Sequence, residues 1–538
     1  MRRFERWREV LLCSAATALL STVLLRFGPP GSDMAAHVYQ KDFFHQHGLV
    51  FWNNLWYAGR YSFITYSPLY YPVAALVGIR LLAIISLTVA TAAYAMIMER
   101  EWGRPGVWSA RAFAVVWALF ALSAAFPFTL GCALALVAML ALQRGHRWSF
   151  ALVAALTLAA SPLAFTLLVV LLGGIGLGRG RFLRHRLART AVVTVCVLGI
   201  VEALLLALFP GGGEFPFPRS EFAAVAVFCS IGFSVTFRAE KTRLLAAFFA
   251  LYFVVCTIAF LLPSPVGENI ARLRFVAVPI AVLALSLRSW QPRILSVVVL
   301  CLALSWNVTP LAASFQRGAN DPSRNPLFWA QPIIFLSHNL APEYRVEAVD
   351  TAGHWEALYL AQAGIPLTRG WYRQDDFPQN ELLYKNLGVE GYLSWLRLLS
   401  VRYVVLTHGP LDYSARREAQ LLRAHPGLFP IVMRFPGGEI RSVPSPRPLV
   451  RGGPAPADVV LVTATSLAFI APEPGRYSVG MRYSPYFASA DGCIRKLPGG
   501  FMSVVVPQAG LVRVRFDVGA SRAARALVGR STTCGVTS

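Results

Sequence analysis

Long apolar runs separated by short polar joints fill the first 312 residues of the chain. The runs lie at roughly 9–27, 74–98, 112–126, 127–143, 148–160, 162–178, 190–209, 221–237, 243–262, 271–287 and 294–312, and most approach the ~20 residues an α-helix needs to cross a bilayer. The pattern predicts about eleven transmembrane helices in residues 1–312. The runs at 148–160 and 162–178 are short and meet at Ser161 and Pro162, so they form either a tight helical hairpin or one kinked helix. After residue 312 no apolar run is long enough to span. Residues 313–435 mix helix-like and strand-like pieces: "EGYLSWLRLLS" reads as an amphipathic helix and "RYVVLTHG" as a buried strand. From about 436 to 520 the period becomes two, as where Val512, Val514 and Phe516 alternate with Arg513 and Arg515, which predicts a small β-sandwich. Residues 521–538 read as a loose polar tail.

Composition supports this division. The chain has 538 residues, 56% of them hydrophobic and 14% charged, with a mean hydropathy of +0.53, too apolar for a soluble protein of this length. Its net charge of +23 is distributed in a regular way. Basic clusters fall at every second joint: Arg2, Arg3, Arg6 and Arg8; Arg100, Arg104 and Arg111; Arg144 and Arg147; the run from Arg179; Arg238, Lys241 and Arg243; Arg288 and Arg293. Basic residues are retained on the cytoplasmic side. The alternation therefore predicts a cytoplasmic amino terminus, a first polar loop outside, and an extracytoplasmic domain after residue 312. It counts 148–178 as two passes, which favours the hairpin. The basic excess is then placed beside anionic lipid, and nucleic acid is not an expected partner. The first run has the basic start of a secretory signal, but ends in Leu24, Leu25, Arg26 and Phe27 without a small-residue exit, and reads as a retained anchor. Six cysteines fall in apolar runs. Cys493 and Cys534 lie in the outer domain, where a Cys493–Cys534 disulfide is expected.

Candidate chemistry concentrates in the outer loops. In "GPPGSDMAAHVYQKDFFHQHG", Asp33 and His37 are four residues apart and share a face if a helix resumes after the glycine. The aromatic stretch that follows, "FWNNLWYAGRYSFITYSPLYYP" with Tyr66 near its end, suits either a membrane-interface belt or a platform for sugar rings. In "PSPVGENIARLRF", Glu268, Asn269, Arg272 and Arg274 lie outside, against the positive-inside trend. Two guanidiniums there suit a lipid phosphate, and the alternative is a Glu268–Arg272 ion pair at helical spacing. The loop "GGGEFPFPRSE" adds Glu214, Arg219 and Glu221 as weaker candidates. In the outer domain, "HWEALYLAQAGIPLTRGWYRQDD" holds His354, Trp355, Glu356, Arg369, Trp371, Arg373, Asp375 and Asp376, either a carbohydrate-handling surface or a structural docking loop.

A first outer loop with "GSD" and His37 after Asp33, followed by a Trp-rich run and "YSPLYYP", resembles the polytopic GT-C glycosyltransferases. Over nearly the whole length, "PSPVGENIARL", "HWEALYLAQAGIPLTRGWYRQDD" and "YLSWLRLLSVRYVVL" are similar to a group of bacterial membrane proteins labelled 6-pyruvoyl-tetrahydropterin synthase-related. That synthase needs a zinc-binding histidine set, and no such spacing is present. The GT-C resemblance implies a polyprenyl-phosphate-sugar donor and a glycan or lipid acceptor, handled at the outer face of a bacterial plasma membrane. It also implies Asp33 as general base, His37 as its orienting partner or as a proton donor, and Arg272 and Arg274 on the leaving phosphate. Tyr66, Glu268, Asn269, Arg369 and Trp371 complete the expected substrate contacts. Asp33 is followed by Met34 rather than by a second acid, so no metal ligand set is expected, and a divalent ion as cofactor stays open with Asp42 as the nearest further acid. A scaffold for envelope polysaccharide and a flippase of lipid-linked sugars are the other readings. A flippase is expected to hold acids at mid-membrane, where this chain offers few.

Overall fold

The computed structural model describes residues 2–62, 64, 66–178, 186–211, 213–237 and 242–528. The basic positions at Arg179, Arg238 and Lys241, and Cys534 of the expected Cys493–Cys534 pairing, lie outside the described residues. The chain divides into two compact units: Met1–His37, Tyr66–Ala203 and Gly213–Ala319 in the first; Val38–Thr65, Leu204–Gly212 and Asn320–Ser538 in the second.

The first unit is helical, and the chain is a multi-pass membrane protein. Among the described residues, nine helices are long and apolar enough to span: Trp7–Phe27, Ile79–Trp102, Arg104–Leu122, Phe126–Gln143, Arg186–Leu208, Arg219–Thr236, Arg243–Leu261, Gly267–Leu287 and Arg293–Ala319. Two shorter apolar helices, Arg147–Ala160 and Pro162–Gly178, bring the set to the expected pattern. Between these two, Ser161 is extended at φ −162° and ψ 109°, so the stretch is two helices and not one kinked rod. Pro105 and Pro127 sit in the first turns of Arg104–Leu119 and Phe126–Gln143, where a helix tolerates them, whereas Pro310 lies inside Arg293–Ala319. The second span starts at Ile79 and not at residue 74, because Gly78 with φ +86° ends a short preceding helix, Tyr70–Val77. Apolar side chains such as Val193, Val197 and Ile200 stay exposed, as expected for surface that meets lipid tails. The buried Thr17 hydroxyl is satisfied between helices: its Oγ1 lies 2.9 Å from Thr91 Oγ1 and 3.0 Å from the Ala114 carbonyl oxygen.

Among the described residues, the second unit contains a mixed sheet, two four-stranded antiparallel sheets and a two-stranded antiparallel pair, Trp52–Asn53 with Arg60–Tyr61. In the mixed sheet, Val401–Thr407 pairs in parallel with Arg345–Ala348 and antiparallel with Gly438–Ser442, which pairs in turn with Ile431–Phe435. The amphipathic helix is present as Val389–Leu398 and buries Tyr392, Trp395 and Leu396 in the same core as Val404 and Leu406. The β-rich part has two four-stranded sheets. One is ordered Cys493–Lys496, Phe501–Val506, Gly475–Arg482, Val450–Arg451; the other Phe487–Ala488, Gly510–Phe516, Ser466–Ala471, Asp458–Val462. Their inward residues, including Tyr477, Val479, Met502, Val504, Val512 and Val514, share one core, with Arg513 and Arg515 exposed as the alternation requires. After the last strand, Ala520–Leu527 forms a helix.

The first part of the aromatic stretch, open between a membrane-interface belt and a platform for sugar rings, is instead part of this unit's core. Trp52, Trp56, Tyr57 and Tyr61 are buried. Trp52 stacks on Phe516 with centroids 5.2 Å apart. The polar tips are also taken up: Trp56 Nε1 donates to the Ala357 carbonyl oxygen at 2.9 Å, Tyr57 Oη to that of Tyr372 at 2.7 Å, and Tyr61 Oη lies 2.8 Å from Ser484 Oγ. Aromatic density alone does not separate an interface belt from a buried insertion, because both present an apolar body with one polar tip.

Candidate functional site

The loop after the first helix is held from both sides. Ser32 Oγ lies 3.3 Å from Ser314 Oγ, which donates to the Leu122 carbonyl oxygen at 2.8 Å. Gly31 is pressed against residues 122–124: a Cβ there would lie 2.6 Å from both the Ala124 nitrogen and the Leu122 carbonyl oxygen, so only glycine allows this approach. A helix does resume, over Met34–His47. The Asp33 carbonyl accepts from the His37 amide at 3.3 Å, and the Asp33 amide donates to the Ser123 carbonyl at 3.3 Å. Asp33 therefore precedes the helix with its carbonyl already in the first turn, half-buried.

His37 is enclosed one turn on. Its Nδ1 lies 3.2 Å from Tyr71 Oη, and the rings of Tyr70, Tyr71 and Phe126 surround it with centroids 5.7, 6.0 and 6.0 Å away. Burial pushes its pKa down to about 3; a backbone hydrogen bond with Ala124 works against this and the charge of Arg272 adds to it. The imidazole is neutral at neutral pH. Tyr66, half-buried, is close enough to Tyr70 to act on it electrostatically.

The four residues expected in the Gly267–Val276 segment separate because it is a 3-10 helix. With three residues per turn, side chains three apart eclipse. Asn269 and Arg272 thus share one face, and Glu268 and Arg274 another. Arg274 is buried in an ion pair with Glu221, and its carbonyl oxygen accepts from Asn307 Nδ2 at 2.8 Å. The expected pair of phosphate-binding arginines is therefore not a pair, since Arg274 is committed to a protein carboxylate. Arg272 has its guanidinium carbon 5.4 Å from the centre of the Phe128 ring and lines a cavity of about 620 Å³. The rest of that lining is almost wholly apolar, with Tyr94, Trp117, Phe128, Leu136 and Phe248 on its walls and Glu101 and Gln143 among its few polar members. Phe128 and Gln143 lie near opposite ends of Phe126–Gln143, so at ~1.5 Å per residue the lining extends over about 22 Å, most of a ~30 Å hydrocarbon layer.

In the second unit, Arg369 is buried among carboxylates. It pairs with Asp350, lies 3.2 Å from Asp376, and has Glu347 and Glu418 at 3.8 and 3.7 Å. Its guanidinium is occupied by protein acids. Trp371 is half-buried, its ring centre 6.3 Å from that of His354. The structure thus brings Asp33, His37, Tyr66 and Arg272 into one region of the first unit, while Arg369 and Trp371 belong to a buried polar cluster of the second. The cavity walls were not singled out from the sequence: Phe128 and Phe248 sit in different apolar runs with nothing local to mark them. Glu347, Asp350, Asp412 and Glu418 were missed for the same reason, coming from a strand, two loops and the helix Arg416–Ala424.

No family model and no curated protein matches the chain. Among solved structures it is similar to ArnT from Cupriavidus metallidurans bound to undecaprenyl phosphate, at 14% identity over 81% of this chain and 98% of that one, with a TM-score of 0.38. It is also similar to the mycobacterial arabinofuranosyltransferase AftD, at 15% identity over 96% of this chain and 42% of that one, TM-score 0.45. A third likeness is to the oligosaccharyltransferase AglB from Archaeoglobus fulgidus, in complex with an inhibitory peptide and a dolichol-phosphate, at 14% identity over 76% and 70%, TM-score 0.35.

Proposed function

We propose that the protein is an inverting glycosyltransferase of the GT-C type that moves a sugar from a polyprenyl-phosphate donor to a cell-envelope acceptor at the outer face of a bacterial plasma membrane. The observation that carries this reading is the apolar cavity with the Arg272 guanidinium in its wall. An amphiphile with a long hydrocarbon tail and one anionic head matches that distribution of surface. The guanidinium fork holds the phosphate bidentately and, beside aromatic walls of low polarity, does so more strongly than in water.

In this scheme Asp33 removes the proton from the acceptor hydroxyl as its oxygen bonds to the anomeric carbon. The bond from that carbon to the phosphate oxygen breaks, its electron pair stays on the phosphate, and Arg272 stabilises the charge that collects there. Attack opposite the leaving group inverts the anomeric centre. A neutral, enclosed His37 suits a positioning residue that keeps the first helical turn and Asp33 in place, and not a proton donor to the phosphate. The test is the sugar composition of the host envelope with and without the protein: loss of one sugar from a surface glycan is expected, and an unchanged composition contradicts the proposal.

A further inference from the structure

The second unit holds a group of side chains that the transfer reaction does not use. Asp350, His354 and Glu356 each offer a ligand atom, and these atoms lie within 4.8 Å of one another. His354 Nδ1 is 3.8 Å from Asp350 Oδ2 and 3.6 Å from Glu356 Oε1, too far for hydrogen bonds. Neither His354 Nδ1 nor Glu356 Oε1 has a hydrogen-bond partner, although Glu356 is only 2% exposed. A buried carboxylate oxygen left in that state is costly. The other oxygen, Oε2, accepts from Thr351 Oγ1 at 2.6 Å, which fixes the carboxylate with Oε1 turned toward the imidazole.

Carboxyl groups outnumber guanidiniums beside this group: Glu347, Asp350, Asp376 and Glu418 lie around Arg369, and Asp412 pairs with Arg373. Asp350 Oδ2 is paired with the Arg369 guanidinium, which holds that carboxylate in place, and His354 Nε2 is turned toward Asp412 Oδ2, 3.9 Å away and beyond hydrogen-bond reach. An ion equidistant from three atoms at such separations sits about 2.1–2.4 Å from each, close to the ordinary lengths for zinc and manganese. A ring nitrogen with two carboxylates favours a transition ion over calcium or magnesium, which prefer all-oxygen sets.

We propose that Asp350, His354 and Glu356 bind one divalent transition ion, of the zinc or manganese kind, that stabilises the mixed-sheet part of the second unit. The spacing Asp-x3-His-x-Glu is not a helical metal motif, because the ligands span the turn leading into the helix Trp355–Gln362, which is why it has no sequence signature.

The test uses the untagged full-length chain in nanodiscs, stripped with a chelator, exposed to Mn2+ or Zn2+, desalted, and analysed for bound metal by mass spectrometry. Wild type is expected to retain about one equivalent more than Glu356→Gln or His354→Gln, and its thermal midpoint is expected to rise on reloading. Equal retention by wild type and both variants overturns the site, as does no retention by wild type. Should a variant fail to fold, pulsed electron paramagnetic resonance on the Mn2+-loaded wild type decides: modulation from a histidine nitrogen supports the site, and its absence overturns it.

Discussion

Replacing Arg272 by methionine separates the two halves of the proposed donor site. The side chain lines the cavity and contacts Phe128 through its charge, while its neighbour Arg274 is tied to Glu221. The substitution keeps an apolar stem of similar length and removes the guanidinium. A hydrogen bond to a charged group contributes about 1.5–3 kcal/mol. Arg272 is half-buried, so solvent screening places the expected loss toward the lower part of that range, or about 10- to 30-fold in affinity. Losing the contact with Phe128 subtracts about 0.5–1 kcal/mol from folding stability, not from binding. The assay is competition binding of undecaprenyl phosphate and of uncharged undecaprenol to the protein in nanodiscs. Undecaprenyl phosphate should weaken by the stated factor and undecaprenol should not. Arg272→Lys should fall between, having the charge without the fork. Equal weakening of both lipids means that the arginine shapes the cavity and does not bind phosphate; no weakening of either removes Arg272 from the site.

Two further outcomes follow from the structure. Because burial depresses the folded-state pKa of His37 to about 3, below the ordinary histidine value of about 6.5, the unfolded chain takes up the proton first as pH falls. Its contribution is therefore complete above about pH 6.5 and is progressively lost below it, by about 2 kcal/mol between pH 7 and 5. Thermal unfolding at the two pH values should show this loss in wild type and not in His37→Gln; an equal drop in both refutes the assignment. Truncation of Trp56, which is fully buried and donates to the Ala357 carbonyl oxygen, should cost about 3–5 kcal/mol, and Trp56→Ala should lower the thermal midpoint of the second unit, whereas an exposed interface residue would leave it unchanged.

The membrane helices were legible because an apolar run of spanning length has few alternatives in water or lipid, and their errors trace to local breakers such as Gly78. The strands from 475 and 510 were legible from period-two burial. The parallel pairing of Arg345–Ala348 with Val401–Thr407 was not, since partners more than fifty residues apart leave no local trace. The same limit applies to the site. Asp33 and His37 are neighbours in one helical turn and could be paired from spacing alone. Arg272 and Arg274, two apart, fall on different faces of any helix, and the pairing of Arg274 with Glu221, 53 residues away, left no local trace. Neither reading of the aromatic stretch from Phe51, interface belt or sugar platform, anticipated its burial among strands from residue 466 onward, which is a tertiary fact.

The central claim is that Asp33 is the base of a sugar transfer. Asparagine suits the position before a helix as well as aspartate does, so Asp33→Asn should insert and fold like wild type while losing the proton acceptor. The most direct measurement is the surface glycan of cells carrying Asp33→Asn at wild-type protein level. The account predicts loss of the transferred sugar, by about 100-fold or more in rate; an unchanged glycan at the same protein level contradicts it.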